Sequence, residues 1–459
     1  MGWIDKLTSR FLGRGGSGAR TAAPAAQPWL TAPERATRGG AASSFPRFQS
    51  TAGDQLDPRA SDNFANLRVR LRGAYTPAQP VADRRMFAGR TKALTNLIRA
   101  IEDQRLHSVI YGERGLGKTS MLHVLAQTAR EARYLVIYVT CGAGSNFDEM
   151  FRTIADGIPL LFHSQYGPTS NEAEAGATLL SLLPHEPVSV RTASDMLSRI
   201  AGTRVLVILD EFDRAESDEF RRAIAELLKS LSDRSARVQL VIAGVAANLT
   251  ELVANVPSIQ RNISALQIPK MTAAEIRGLV KNGEALSGLT FDDGAVHAII
   301  SRSIGFPYLA SMLAHRAALI AIDQSRTAIG AEDVASATSE AVDEFKSRVS
   351  RRSQLQIEDR VQKGMLGPLG ALAGAAQSTG GLFSAEDISA LHADPANITA
   401  ARGLADRMAT EHVLIESRDD EFGRSYRFFE DSVPVYLWLL AAQGRFFEGR
   451  DAANRDEAP

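Results

Sequence analysis

Two short stretches of this chain combine residue types and spacings that suit phosphate chemistry. Gly112-Glu113-Arg114-Gly115-Leu116-Gly117-Lys118-Thr119 is a complete G-x4-G-K-T sequence. Glycines let the backbone turn tightly enough to aim successive N–H groups at phosphate oxygens, and a helix starting beside them adds partial positive charge. At this spacing the Lys118 ammonium reaches the β- and γ-phosphates of a nucleoside triphosphate and the Thr119 hydroxyl ligates magnesium; Ser120 completes the nucleotide-binding set. The second stretch is residues 204–213, RVLVILDEFD, an apolar run ending in acids. At the carboxyl end of a strand buried on both faces, Asp210 holds magnesium through water and Glu211 polarises the attacking water. Asp213 reads as a helix cap or a surface acid. Together the two stretches imply an enzyme that binds ATP with Mg2+ and hydrolyses it.

Those residues need a strand, a turn and a helix to hold them. An apolar strand over 107–111 runs into the glycine-rich turn, and a helix over 120–133 leaves it. Ahead of the strand, Ala93, Leu94, Leu97, Ile98 and Ile101 recur at helical spacing. Apolar runs at 134–141, 204–210, 238–243 and 264–268 read as further strands. The first of these contains the chain's single cysteine, Cys141, which has no partner for an internal disulfide and reads as structural. Upstream, the spacing over 63–81 suggests a strap of chain leading into Phe87-Ala88-Gly89-Arg90. The stretch between 141 and 204 is longer than a strand-to-strand crossover needs, so an insertion is expected, with a helix over 147–162 and loops over 165–174 and 184–187. Ala273, Ile276, Leu279 and Val280, then Val296, Ile299 and Ile300, mark helices of a lid over 272–345.

Taken together, these segments resemble the AAA+ superfamily over residues 80–345, and most closely the clade of replication-initiator ATPases and their STAND signalling relatives. The resemblance implies an α/β fold: a P-loop NTPase parallel sheet of order 5-1-4-3-2, a helical lid, and a following winged-helix domain. It also implies roles for residues beyond the two motifs. Phe87-Ala88-Gly89-Arg90 looks like the family's GR motif beside the adenine, with Pro80 and Val81 against the base; Arg90 equally suits a residue that merely opens a helix. Ser258-Ile259-Gln260-Arg261 stands where initiator ATPases carry an arginine finger. Arg261 is therefore a catalytic candidate toward a neighbouring subunit's γ-phosphate, a surface arginine being the equal alternative. Gly305-Phe306-Pro307-Tyr308 resembles the G-x-P signature of such lids, which puts Pro307 close to the nucleotide. Tyr308 stands where many relatives have a sensor-2 arginine, a departure that suits a slow switch better than a motor. Asn248 is the nearest amide for a sensor 1, several residues beyond its strand.

Over 355–445 the pattern changes to short helices at 365–375 and 398–408, a capped helix start at 384–387, and strands at 412–417 and 426–429 around a wing-like turn at 418–424. This order resembles a winged helix. The stretch holds 8 Lys or Arg against 13 Asp or Glu; because phosphate contacts supply most non-specific DNA affinity, the balance favours a protein-binding or structural role. The chain as a whole carries 52 basic and 53 acidic side chains, which excludes a chain-wide basic field. No run approaches the roughly 20 apolar residues of a membrane-spanning helix, and the start lacks the apolar core of a secretory signal. Residues 1–62, rich in Ala, Gly, Ser, Pro and Arg, read as a disordered leader. Trp3, Ile4, Leu7 and Phe11 fall at helical spacing within it, which suits either a chance pattern or a weak docking helix for a partner or a membrane surface. The resulting division is a leader over 1–62, a nucleotide-binding core over 63–270, a lid over 271–350, a winged-helix-like domain over 351–445 and a polar tail over 446–459. The chain is read as a cytoplasmic, nucleotide-gated regulator that forms a homo-oligomer or engages a protein partner. The alternative is a DNA-associated ATPase that binds duplex through the winged helix.

Overall fold

The central strands are long apolar runs because both of their faces are covered. Val205–Asp210 (β3) is buried along its whole length, and Val238–Val245 (β4) along all but its last residue. With His107–Gly112 (β1), Leu135–Thr140 (β2) and Ile263–Gln267 (β5) they form a parallel sheet of order β2-β3-β4-β1-β5, which is the expected 5-1-4-3-2 counted from the other edge. The register sets Thr140 of β2 opposite Asp210 at the end of β3, and Gly112 of β1 opposite Val245 at the end of β4. The phosphate-suited turn and the acids therefore emerge at the same, carboxyl end of the sheet's strands. The protein's computed structural model describes residues 63–77, 79–81, 84–166, 170–171, 176–246, 249–252, 261–390, 395–420 and 423–456. All of these belong to one unit, Ala52–Pro459. The leader over 1–62, Asn248, residues 258–260 and part of the expected loop over 165–174 lie outside the described residues.

Two apolar clusters cover the sheet. On one face, Lys118–Glu131 (α3) packs Met121, Leu122 and Leu125 toward Leu206 and Ile208. On the other, Asp218–Asp233 (α6) packs with Phe147–Asp156 (α4) and Val190–Ser198 (α5), drawing on the inserted segment between β2 and β3 for Phe151, Leu179 and Leu197. The insertion thus shares the cover of this face with α6. Its first helix is shorter than the expected 147–162: it ends at Asp156, with Gly157 as its C-cap and Pro159, which cannot continue the helix, two residues on.

The strap expected over 63–81 begins as a helix, Asn63–Ala74 (α1). Leu67 and Leu71, one helical turn apart, and Tyr75 just beyond are buried against the lid. Tyr75 donates its hydroxyl to Val280 O at 2.8 Å. The lid contains Ala273–Ser287 (α8), Asp293–Ser303 (α9), Pro307–Asp323 (α10) and Ala331–Ser347 (α11), numbered after the single turn Leu249–Leu252 (α7). Thr272 and Glu275 form a reciprocal capping box at the start of α8.

Beyond the lid come Arg351–Gln362 (α12), Leu366–Thr379 (α13), Ala385–Ala390 (α14) and Pro395–Thr410 (α15). A three-stranded sheet with Leu382–Ser384 at one edge, Gly423–Phe428 in the middle and Ile415–Asp420 at the other edge accompanies them. The hairpin's turn is tighter than the expected 418–424, because Arg418, Asp419, Asp420, Gly423 and Arg424 are already paired in the ladder. Ser432–Asp456 (α16) is one helix, running past the expected boundary at 445. Its earlier turns dock on the lid, where Trp438 Nε1 donates to Arg302 O at 2.9 Å and Gln443 donates to Ser339 Oγ at 2.9 Å. Among the described residues, no helix is long and apolar enough to cross a membrane.

Candidate nucleotide-binding site

The glycine-rich turn takes its shape from two constraints. Gly112 has φ of 145°, and a Cβ there would come 2.9 Å from Ile268 O; Gly117, at φ of 83°, forms the left-handed N-cap of α3. The free backbone N–H groups at the start of α3 then face a cavity of about 500 Å³. Lys118 lies at the head of this helix, 8% exposed, and its ammonium donates to the carbonyls of Gly112 and Glu113 at 2.8 Å each. Burial pulls its pKa down to about 8, with Asp213 and Asp210 opposing the shift.

The acids at the end of β3 border the same cavity, together with Arg114, Gly115, Gly117, Thr119 and Ser120 of the turn. Asp210 is 4% exposed; its Oδ1 accepts the Glu211 N–H at 2.8 Å and its Oδ2 accepts the Tyr138 hydroxyl at 2.6 Å. Glu211 has a left-handed backbone (φ of 52°), and its carboxylate receives Arg214 Nη1 at 2.7 Å. Pro307 opens α10 from the lid side of the cavity, beside Tyr308. Gly305 before it has φ of 77°, and a Cβ there would sit 2.6 Å from Met271 O, so the G-x-P sequence is a fixed corner. Pro80 and Val81 also line the cavity, and the Val81 N–H donates to Ser120 Oγ at 3.1 Å.

The remaining residues assigned from sequence lie elsewhere. Arg90 does not line the cavity. It is buried beneath the turn, where Nη1 donates to Leu116 O and Nη2 to Pro269 O at 2.9 Å, and burial lowers its pKa to about 10 against the pull of Glu275. Its guanidinium is thus committed to carbonyls that hold the turn's shape. Gly112, Glu113 and Leu116 face a second cavity of about 780 Å³ between the turn and the C-terminal sheet. Arg261 is exposed just ahead of β5, outside the first cavity. Cys141 is buried immediately after β2, its thiol pushed up to about 12 by burial and then by Asp210, which fits the structural reading.

Three residues stand at the site that the sequence did not point to: Tyr138 and Arg214, which carried no assignment, and Asp213, which reads from sequence as a helix cap or surface acid. Asp213 accepts the Val245 N–H at 2.8 Å, tying the acidic loop to the end of β4 while lining the cavity. Arg214 holds Glu211, and Tyr138 holds Asp210. For Asp213 and Arg214 a signal existed, since a tight turn after Glu211 brings residues two and three positions on back toward it. Tyr138 had none short of the β2–β3 register.

No curated protein matches the sequence. The chain is similar to the solved structure of Cdc6p from Pyrobaculum aerophilum, at 13% identity and TM-score 0.45, covering 82% of this chain and 98% of that one. It is also similar to the Aeropyrum pernix Orc1 protein in complex with DNA, at 16% identity and TM-score 0.43, covering 83% and 97%. A third similarity is to a Walker-type ATPase of Pyrococcus abyssi, at 14% identity and TM-score 0.46, covering 78% and 98%. The family model of the novel STAND NTPase 1 matches residues 78–328, a span that holds the glycine-rich turn, the β3 acids and the G-x-P corner. The chain is a P-loop ATPase and belongs to the novel STAND NTPase 1 family.

Proposed function

We propose that the 500 Å³ cavity binds Mg-ATP and hydrolyses it slowly, and that the nucleotide regulates assembly of the chain with itself or with a protein partner. In this reading the N–H groups of the turn cradle the phosphates, and Lys118 leaves the Gly112 and Glu113 carbonyls for the β- and γ-phosphates. Thr119 and Asp210 are hard oxygen donors that both line the cavity beside Lys118, a set that suits Mg2+. When bound, that ion neutralises phosphate charge. Glu211 accepts a proton from the water that attacks the γ-phosphorus, and the bond to ADP breaks as the new P–O bond forms. Arg261, exposed and outside its own cavity, is the candidate for completing a neighbour's site.

The observation that carries the regulatory part is the contact between the phosphate turn and the C-terminal unit. Glu113 lies against Gly380, where a Cβ would come 3.0 Å from Glu113 Cγ. Lys270 links the turn to the C-terminal segment within this unit, with its ammonium 3.7 Å from Glu113 and bonded to Gln377 O. Burial outweighs attraction in this pair, raising the Glu113 pKa and lowering that of Lys270. A turn reshaped by phosphate would therefore be felt by the C-terminal unit.

A second reading, a DNA-associated ATPase, draws on the helix-strand-helix-helix-strand-strand order over 366–428, which suits a winged helix. Against it, Arg424 in the hairpin is engaged by Asp419 and Asp406. Steady-state ATP hydrolysis with and without duplex DNA at moderate salt, with Glu211→Gln as the blank, separates the two. Slow turnover indifferent to DNA is expected; stimulation of several-fold would favour the DNA-associated reading.

A further inference from the structure

Tyr138 touches the site without a part in the chemistry proposed for it. β2 and β3 run parallel with Tyr138 opposite Ile208 and Thr140 opposite Asp210. Side chains two positions apart on a strand share a face, so Tyr138 is the diagonal neighbour of Asp210, within reach of a long aromatic side chain. Its hydroxyl donates to Asp210 Oδ2 at 2.6 Å, while the Glu211 N–H donates to Oδ1 at 2.8 Å. The ring itself is set edge-on to His123 of α3, with centroids 5.2 Å apart at 81°. With one donor on each oxygen, the carboxylate cannot rotate without breaking both bonds, and its remaining acceptor capacity is left for the cavity it lines.

We propose that Tyr138 is a positioning residue for magnesium: its hydroxyl fixes the Asp210 carboxylate in the orientation that receives the hydrated ion. The inference rests on the proposed magnesium role of Asp210. Outer groups that orient metal-binding carboxylates are typically worth about 10- to 100-fold in metal affinity.

The test is a Mg2+ titration of the full-length protein with a fluorescent, non-hydrolysable ATP analogue, reading the Mg2+ concentration at half-maximal binding. Tyr138→Phe keeps the ring and its packing against His123 and removes only the hydroxyl. It should raise the half-maximal Mg2+ concentration about tenfold, leave analogue binding in excess EDTA unchanged, and leave the unfolding midpoint close to wild type. Asp210→Asn should shift the Mg2+ requirement at least as far. An unshifted Tyr138→Phe beside a shifted Asp210→Asn overturns the inference and leaves the proposed site intact. If neither variant shifts, the magnesium role of Asp210 fails and the inference goes with it. Weakening by the same factor with and without Mg2+ would mean that Tyr138 only supports the sheet, which also overturns it.

Discussion

Lys118 shows how the site holds its charge before nucleotide arrives. Its ammonium is buried, bonded to two carbonyls of its own turn, and faced by Asp210 and Asp213. Desolvation wins over those acids and leaves the pKa near 8. A polyphosphate favours the charged lysine, so its pKa rises on binding, and the linkage has a definite sign. Nucleotide affinity should be flat below about pH 8 and fall as pH rises through and above it, by up to about tenfold per unit. Titrations of fluorescent ATP at pH 7 and pH 9 check this, and equal affinities at the two would contradict it. Individual residues were unevenly legible. Lys118, Thr119, Asp210 and Glu211 could be placed because a motif fixes their separation along the chain. Arg90 could be found but not understood: a buried arginine bonded to Leu116 O and one lying along a base look alike in sequence.

At the scale of elements, α1 and α8 meet where a side chain would not fit. Gly283 in α8 faces Tyr75, and a Cβ there would lie 2.0 Å from Tyr75 Cζ. Tyr75 is 1% exposed and hydrogen-bonded to Val280 O, so its ring has no room to retreat. Gly283→Ala should destabilise the lid side of the protein by about 1–3 kcal/mol, despite the better helix propensity of alanine. Thermal unfolding followed by circular dichroism reads the loss; an unchanged or raised midpoint would contradict the packing described here. The core strands were legible to within a residue or two because double-sided burial demands continuous apolar runs. The helical form of α1 is not legible over 63–81, because its apolar positions are sparse and the helix is supported by contacts with the lid. The hairpin at 415–428 was cut short in the sequence reading because its outer rungs, Asp419 with Arg424 and Asp420 with Gly423, are polar and carry no hydrophobic signal.

Across the whole molecule, the phosphate-suited turn lies between the lid and the C-terminal segment. On one side Pro307 and Tyr308 of the lid meet Gly117 and Gly115; on the other Gly380 meets Glu113. The proposed regulatory role of the nucleotide rests on these two contacts, through which a change in the turn would reach the lid and the C-terminal segment at once. Ser350 caps α12, and α16 returns to pack on the lid, so the C-terminal segment is fastened to the rest at more than the chain leading into α12. All of this depends on the cavity between the turn and the β3 acids being where ATP is held and split. The direct measurement is nucleotide retention and turnover, side by side, in wild type, Lys118→Ala and Glu211→Gln. Loss of binding is predicted for Lys118→Ala. Glu211→Gln should retain ATP while turnover falls by about 10²- to 10⁴-fold. ATP hydrolysis by Glu211→Gln at the wild-type rate, or undiminished binding by Lys118→Ala, would contradict the account.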